Sequence, residues 1–267
     1  MKRLWFVLTI LLVGCSTLPN ERLSQAKLQT EHTQRGPDLA FQVENPLKCP
    51  LRIRLYTNDS ELQSKLDREI ELAPLSDSSF SIRHTKDSST LIRAKFTYGS
   101  PELPVTLDSL SLPFPKGNTY KISQGYHGNF SHQSRHSRYA LDFNMKVGDT
   151  VCAAADGVVV GVIEDYTQGG RHHAFRPHAN IITIYHPQMN IFTQYVHLKH
   201  LGSFVELGQT VQKHEVIGLS GKTGFAAGPH LHFVVMQANE YGLASMPVNF
   251  EEGYIGESLT KGSKVTK

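Results

Sequence analysis

The chain has 267 residues, of which 39% are hydrophobic and 19% are charged, and its formal net charge is +3. This length is sufficient for one large domain or two smaller ones, and the composition excludes collagen-like sequence, wholesale disorder and a multi-span membrane protein. The low net charge and the lack of a basic run give no indication of a nucleic-acid partner.

The N-terminus has the composition of a secretory signal, in which basic residues precede a short apolar run. The run covers residues 4–13 and is too short for a transmembrane helix, which needs about 20 residues. It ends in Leu-Val-Gly-Cys at residues 12–15, which resembles a bacterial lipobox. We therefore predict a lipoprotein signal peptide over residues 1–14 and a lipid anchor on Cys15, in the bacterial cell envelope at the outer membrane and facing the periplasm. The alternative is an ordinary signal peptide with a chance cysteine.

The next part of the chain changes from a polar segment to a strand-rich one. Residues 15–38 are predominantly polar and predict a tether between the lipid and the folded protein. Leu51, Ile53 and Leu55 then alternate with polar residues, which is typical of a half-buried strand. We predict a small β-sandwich-like accessory domain over residues 39–112. A spacing of four predicts a short helix at Leu62, Leu66 and Ile70.

A proline-rich boundary at residues 113–115 separates this part from the second half of the chain. Short β-rich runs divided by glycine turns follow, and no long helical period is present. We therefore predict an all-β catalytic domain over residues 113–250. Residues 251–267 are polar and are predicted to form a mobile C-terminal tail.

Besides Cys15, the sequence contains two cysteines, Cys49 and Cys152. Outside the cytoplasm an even pair of cysteines can form a disulfide, which here would connect the two predicted domains. The alternative is that both are small buried apolar residues, because spacing alone does not bring two Cβ atoms within bonding range.

Histidine is concentrated in one half of the chain, since 12 of the 14 histidines lie in residues 127–232. The sharpest pattern is His230 and His232, which flank a single leucine at the start of an apolar run. Side chains two residues apart on a strand point to the same face, so these two imidazoles should enter one site. By the same rule, Tyr195 and His197 are predicted to share a face of an upstream strand.

A carboxylate upstream of the histidines completes a metal-ligand pattern. Asp142 lies on a β-type run that a glycine turn follows. Two histidines and one carboxylate leave a fourth position open, which is the arrangement of catalytic zinc sites. The open position holds a water whose pKa the metal lowers toward about 7, and this water is a nucleophile at neutral pH. We predict one zinc ion per chain.

Four segments of the second half occur in the order typical of one enzyme family. They resemble the motifs of LytM/lysostaphin-type zinc metallopeptidases, which cleave peptide cross-links in bacterial peptidoglycan. The resemblance covers about residues 120–250, and it implies a mainly β, antiparallel catalytic domain with a groove, similar to a duplicated hybrid motif. The segments are Asp142 and residues 153–157, 195–198 and 228–233.

The resemblance also implies a role for each of these residues. Asp142 and His232 would be zinc ligands. His197 and His230 would remain unligated, orient the attacking water and stabilise the oxyanion of the tetrahedral intermediate. Tyr195 would form a wall of the groove.

The first zinc ligand is the point at which this sequence departs from the short family pattern. That pattern has a histidine four residues before the aspartate, where this chain has Arg138. His132 and His136 are the two candidates. Some family members have a longer insert with Ser-His well ahead of the aspartate run, and Ser131-His132 resembles that form. We therefore favour His132 over His136.

The predicted function is that of a zinc endopeptidase acting on peptidoglycan stem peptides, attached to the membrane through Cys15. The alternative is a catalytically silent protein of the same fold that binds and activates a murein amidase. Such regulators lose metal ligands or catalytic histidines, whereas this chain keeps Asp142, His197, His230 and His232. The retained residues favour catalysis.

Overall fold

The computed structural model of the protein describes residue 28 and residues 30–85, 91–106 and 108–267. The predicted signal peptide, Cys15 and the first half of the predicted tether therefore lie outside the described residues. Over the described ranges, no helix is long and apolar enough to cross a membrane.

The described N-terminal residues form two three-stranded antiparallel sheets and one helix. Leu51, Ile53 and Leu55 are all buried, as their alternation predicts. The helix begins after Asp59, whose carboxylate accepts a hydrogen bond from the Leu62 amide at 3.0 Å. The elements are β1 (Thr30–Arg35), β2 (Asp38–Asn45), β3 (Leu51–Thr57), α1 (Ser60–Leu66), β4 (Glu69–Leu72), β5 (Ser76–Arg83) and β6 (Ile92–Tyr98). The sheet orders are β1-β2-β5 and β4-β3-β6.

Part of the predicted tether over residues 15–38 is folded, which corrects that prediction. Strand β1 pairs with β2 along its whole length, from Thr30 opposite Val43 to Arg35 opposite Asp38. Strand β1 is the edge of its sheet and its side chains are largely exposed. An exposed edge strand has the same polar composition as a tether, so composition alone did not distinguish them.

The second half of the chain is built around one large sheet. Within residues 108–267, nine strands join in the order β15-β10-β12-β13-β18-β8-β7-β20, with β19 paired to β18, and every pairing is antiparallel. This confirms the predicted mainly β, antiparallel class. The strands of this half are β7 (Thr119–Gln124), β8 (Leu141–Phe143), β9 (Thr150–Cys152), β10 (Gly157–Ile163), β11 (Gly169–Gly170), β12 (Ile181–His186), β13 (Ile191–Val196), β14 (Leu198–Ser203), β15 (Thr210–Val211), β16 (Val216–Ser220), β17 (Gly224–Phe225), β18 (Leu231–Asn239), β19 (Gly242–Ser245) and β20 (Lys264–Thr266). Two short 3₁₀ helices cover His173–His178 and Gly256–Ser258.

The two faces of the large sheet contribute to different hydrophobic clusters. Leu141, Leu231 and Phe233 point into a first cluster that lies within the second half of the chain. Val234 and Met236, on the opposite face, join a second cluster with the side chains of β2, β3 and α1. The N-terminal sheets therefore pack directly on the large sheet, and the independence of the accessory domain over residues 39–112 stays a prediction.

The first cluster also extends across the predicted boundary at residue 113. Leu110 and Leu112 are fully buried in it, and Leu110 forms a bridge with Phe250. The folded unit of the second half therefore begins before residue 113. The proline-rich segment lies inside this core rather than between domains, since Phe114 is also fully buried.

Residues 251–267 are not a mobile tail, contrary to the sequence-based expectation. Strand β20 pairs with β7, and Val265 is fully buried opposite Tyr120. Pairing with β7 makes β20 the edge of the large sheet. A three-residue edge strand with one apolar side chain has too little hydrophobic pattern to be distinguished from a polar tail.

The predicted disulfide is absent from the described residues, where Cys49 and Cys152 are both free and buried. Cys49 belongs to the second hydrophobic cluster, whereas Cys152 lines a cavity elsewhere with Pro115 and His214. The two thiols thus occupy different environments, which corresponds to the alternative of two small buried apolar residues.

His186 is a buried histidine outside the candidate site. Its titration makes the free energy of unfolding dependent on pH. Its Nδ1 donates to the Asp156 carbonyl at 2.7 Å, and burial lowers its pKa to about 4. The unfolded chain therefore binds one more proton than the folded chain between pH 4 and 6.5, so stability falls as the pH drops through this window. From pH 7 to pH 5 we expect a loss of about 2 kcal/mol through this residue.

Chemical denaturation in the presence of a chelator, at pH 7 and pH 5, measures this loss. The His186→Gln variant should be less sensitive to the pH change than the wild-type protein. A His200→Gln variant, which changes an exposed histidine, should behave as the wild type does. Equal pH sensitivity of the wild type and the His186 variant would contradict the prediction.

Candidate active site

A row of side chains across the large sheet forms the floor of the site. Asp142 on β8 lies directly opposite His232 on β18 and opposite Gln124 on β7. His232 in turn lies opposite Val196 on β13. Directly opposed residues of antiparallel strands project from the same face. The register of four strands therefore brings a carboxylate, an imidazole and an amide into one row.

His132 reaches this row from the loop between β7 and β8. Its Nδ1 lies 2.8 Å from the Gly125 carbonyl oxygen and therefore donates to it. Its Nε2 lies 3.1 Å from Asp142 Oδ1 and 3.1 Å from His232 Nδ1. His232 Nδ1 is 2.9 Å from Asp142 Oδ1. The three potential ligand atoms all lie within 4.8 Å of one another.

The chemistry of these three groups fits a bound metal cation. The hydrogen bond to Gly125 leaves the Nε2 lone pair of neutral His132 pointing at Asp142 and His232. A carboxylate oxygen only accepts, so two acceptors face each other at 3.1 Å unless a proton or a cation lies between them. His132 is fully buried and Asp142 is 4% exposed. Two imidazoles and one carboxylate are ligands that zinc accepts.

The electrostatics of Asp142 favour the charged form. Burial by itself raises the pKa of this carboxyl, but its close contacts with the imidazoles of His132, His232 and His230 outweigh the effect of burial. The pKa of Asp142 is therefore held well below its usual range. Burial and nearby imidazoles lower the pKa of His232, which keeps its ring neutral. An ionised carboxylate beside a neutral imidazole is the state in which both groups can ligate a metal.

His197 enters the site through a change of backbone direction. Strand β13 ends at Val196, and His197 has a φ of 67°, a left-handed conformation that is uncommon outside glycine. Its Nδ1 donates to the Thr223 carbonyl at 2.7 Å, so Nε2 is free to accept. The ring centroid lies 4.6 Å from that of His230. Burial, and the unfavourable effect of the neighbouring imidazoles of His230 and His232 on a protonated ring, lower the pKa of His197 to about 3.

His230 lies on the other side of Asp142 and is more accessible. Its Nδ1 donates to the Gly228 carbonyl at 2.9 Å, and its Nε2 lies 3.8 Å from Asp142 Oδ1. The side chain is 12% exposed. Like His197, it has one nitrogen held by the backbone and directs the other toward the carboxylate. The two imidazoles are therefore positioned beside the three ligand atoms without belonging to them.

Tyr195 is not a wall of the groove, and it does not share a face with His197. It is fully buried in the first hydrophobic cluster, and its hydroxyl accepts a hydrogen bond from the Ala154 amide at 2.8 Å. The rule of alternation applies only while the strand continues. Because the left-handed residue ends β13, His197 turns away from the face that Tyr195 occupies. Val196, opposite His232, lines the groove instead.

The structure brings His132, rather than His136, to Asp142 and His232. His136 is exposed and lines a cavity next to the site, and it is not one of the three grouped residues. The hydrogen bond between the His132 amide and the Gly128 carbonyl at 3.0 Å closes a turn that directs this ring inward. His136 lies four residues later in the same loop, after the turn that carries His132 into the site.

Gln124 and Thr223 position the site, although neither was predicted from the sequence. Gln124 donates from Nε2 to Asp142 Oδ2 at 3.0 Å and to Ser131 Oγ at 2.8 Å, while its Oε1 accepts from the Phe130 amide. Thr223 provides the carbonyl that holds His197. No local pattern distinguishes a glutamine or a threonine of this kind from a surface residue, since each acts through a partner distant in sequence.

The Gln124 contacts lead to a prediction about metal affinity. Because its amide occupies Asp142 Oδ2, only Oδ1 faces the two histidines. Loss of such an orienting partner typically costs about 10–100-fold in metal affinity. We therefore expect the Gln124→Met variant to bind zinc about 10–100-fold more weakly in competition with a chromophoric chelator.

The matched control is Gln133→Met, because Gln133 is an exposed glutamine in the loop that carries His132. This variant should retain the wild-type zinc affinity. If the Gln124 and Gln133 variants bind zinc equally well, Gln124 does not orient Asp142.

Two cavities open onto the site from different sides. The first has a volume of about 660 Å³ and is lined by Asp142, His230 and Phe130 among others. The second has a volume of about 600 Å³ and is lined by His197 and His232. Phe130 stacks on Phe225 with ring centroids 4.7 Å apart, at the point where the two cavities approach each other. The site is therefore accessible from two sides.

The arrangement of the site agrees with a comparison against known families. Residues 136–244 match the sequence model of Peptidase family M23. The chain carries an M23 peptidase domain. The match confirms the family predicted from the histidine motifs, and it includes Asp142, His197, His230 and His232. His132 lies four residues before the matched segment.

Curated relatives of the M23 domain are named as peptidases. The chain is 32% identical over 127 residues to an uncharacterized metalloprotease of Buchnera aphidicola, covering 46% of this chain and 30% of the relative. It is 38% identical over 92 residues to the peptidoglycan DD-endopeptidase ShyA of Vibrio cholerae, covering 34% and 18%. It is 31% identical over 149 residues to the glycyl-glycine endopeptidase ALE-1 of Staphylococcus capitis, covering 55% and 38%. The chain thus spans well under half the length of each of these relatives.

Proposed function

We propose that the protein is a zinc-dependent endopeptidase that hydrolyses peptide cross-links of peptidoglycan. The observation that carries the proposal is the convergence of His132 Nε2, Asp142 Oδ1 and His232 Nδ1 beside two further imidazoles. Three protein ligands facing open cavities are the arrangement of a catalytic zinc site, whereas structural zinc sites are closed by a fourth ligand.

The residues of this chain would divide the chemistry between them. Zinc held by His132, Asp142 and His232 would supply Lewis-acid polarisation of the scissile carbonyl and activation of a water nucleophile. His197 and His230 each keep Nδ1 on a backbone carbonyl, so Nε2 is the atom that accepts the proton of the attacking water. The protonated imidazole then stabilises the developing oxyanion and returns the proton to the leaving amine.

The proposed substrate is the stem peptide of peptidoglycan. One relative is named a peptidoglycan DD-endopeptidase and another a glycyl-glycine endopeptidase. The two names therefore state different peptide bonds. For a lipoprotein of the outer membrane we infer direct cross-links through meso-diaminopimelate rather than glycine bridges.

Digestion of peptidoglycan by the purified, zinc-loaded protein tests the function. We expect release of soluble muropeptides that stops when a chelator is added and resumes when zinc is restored, with Asp142→Asn as the inactive control. Mass analysis of the products identifies the bond. Intact peptidoglycan after incubation with the zinc-loaded protein would refute the proposal, and stimulation of a murein amidase in the same assay would support the regulator instead.

We also propose that Cys15 carries the lipid anchor, as its lipobox-like context supports. The short apolar run before it does not suffice to span a bilayer. Fractionation compares the wild type with a Cys15→Ala variant. Recovery of the variant in the membrane pellet would show that the anchor lies elsewhere.

A further inference from the structure

The second cavity described above combines the two halves of the chain. One end is lined by His197 and His232 of the active site. Its far wall is formed by β6 of the N-terminal sheets and by Tyr241 at the β18–β19 turn. A peptide that extends from the reacting bond into this cavity would therefore contact β6, which belongs to neither the metal site nor the M23 match.

The charges that line this cavity all have one sign. Lys95 on β6, Arg135 in the loop that carries His132, and Arg176 in the 3₁₀ helix each contribute a cation. Among the described residues that line the cavity, none is an aspartate or a glutamate. Glu240, next to Tyr241, does not line it. A cleft lined by one sign of charge concentrates its field and attracts ligands of the opposite sign.

Both guanidinium groups are held in place by contacts that leave donors unused. Arg135 donates from Nη2 to the Tyr241 carbonyl at 2.8 Å. Arg176 lies over the Phe225 ring, with its Cζ 5.2 Å from the ring centroid. Within the described part of the chain, neither forms an ion pair with a carboxylate. A guanidinium has five N–H donors in a planar fork that matches the two oxygens of a carboxylate.

We propose that this cavity is a subsite that binds a free carboxylate of the peptide substrate, near the scissile bond. Arg135 and Arg176 supply the hydrogen-bond donors, and Lys95 adds charge from the N-terminal sheet. The inference rests on the proposed endopeptidase function and adds to it a substrate class, that of acidic peptides. It also assigns the N-terminal sheets a part in substrate selection.

The test compares two substrates that differ only in whether their carboxyl groups are free or converted to amides. One is a cross-linked muropeptide dimer with free stem-peptide carboxylates, and the other is the same dimer with these groups converted to carboxamides. The wild-type protein should have a KM about 10-fold or more lower for the free carboxylates, since a hydrogen bond to a charged group is strong. The Arg176→Gln variant should lose this preference through KM, with kcat and zinc content unchanged.

Arg135→Gln should act in the same direction. Arg138→Gln is the matched control, because Arg138 is an exposed arginine in the same loop that does not line the cavity. Arg176 lies outside the loop that carries His132. The result for Arg176→Gln therefore does not depend on whether that loop folds correctly. Equal KM values of the wild type for the two dimers, or identical behaviour of the Arg176 and Arg138 variants, would overturn the subsite.

If the protein is not an endopeptidase, the outcome differs from the one expected when only the subsite proposal is wrong. In that case the zinc-loaded wild type cleaves neither dimer. Calorimetric titration of the protein with each dimer then tests the cavity alone. Tighter binding of the free carboxylates that is lost in Arg176→Gln supports the subsite, and equal binding of both dimers refutes it.

Discussion

Replacing His132 or His232 by alanine should abolish stoichiometric zinc binding, whereas replacing His136 should not. The two nitrogens lie 3.1 Å apart and both lie within 3.1 Å of Asp142 Oδ1. Removal of either leaves two protein ligands for an ion that needs at least three from the protein. The loss of affinity should exceed the roughly 10–100-fold that removal of an outer partner causes.

Zinc retained after dialysis, measured per chain by atomic emission, checks this expectation. Thermal melting in the presence of a chelator shows whether each variant is folded. His136→Ala is the control from the same loop, and it should keep one zinc ion per chain. Loss of zinc from the His136 variant alone would replace His132 by His136 as the first ligand.

Replacing His197 or His230 by alanine should lower kcat by about 10²–10⁴-fold while leaving the zinc content unchanged. Neither imidazole belongs to the group of three ligand atoms, and each lies beside it with a free Nε2. Without the proton acceptor, the attacking water keeps its proton and the leaving amine receives none. Binding of the substrate does not depend on this transfer, so KM should change much less than kcat.

The rate of cross-link cleavage by the zinc-loaded variants provides the measurement. His200→Ala, which removes an exposed histidine of β14, is the control and should retain the wild-type kcat. A His197 or His230 variant with wild-type kcat and normal zinc would remove that residue from the mechanism. A variant that loses zinc as well would instead make that imidazole a ligand.

The N-terminal sheets pack against the large sheet and lie next to the candidate site. They share a hydrophobic cluster with Val234 and Met236, which continue the same strand face as His232. Strand β6 forms a wall of the second cavity. Both halves of the chain therefore line the second cavity, although the M23 match begins only at residue 136.

The candidate metal site was predictable where the relevant pattern is local. His230 and His232 flank one leucine at the start of β18, and alternation on a strand places both on one face. Asp142 was predictable from its β-type context and from the family resemblance. The mainly β class followed from short apolar runs divided by glycine. These features depend on neighbours within a few residues, which the sequence shows directly.

Other parts of the site depend on contacts between distant residues. The choice of His132 over His136 is made by the turn at Gly128 and by the Gly125 carbonyl. The role of Gln124 follows from the register of β7 with β8, which local composition does not encode. The prediction for Tyr195 was wrong because a left-handed residue ends β13, and that backbone geometry has no signature in side-chain alternation.

By itself, the sequence determined the residue types of the candidate metal site, the strand positions of Asp142 and His232, the family and the mainly β architecture. Side-chain periodicity and short motifs are properties of residues close together in the sequence, so they can be recognised without knowledge of the fold. Only the tertiary structure decided the first ligand, the orientation of His197, the paired state of β1 and β20, and the cations that β6 and the loops bring to the second cavity. Each of these depends on which strands pair and in what register, and the free energy that selects a register comes from burial across the whole sheet.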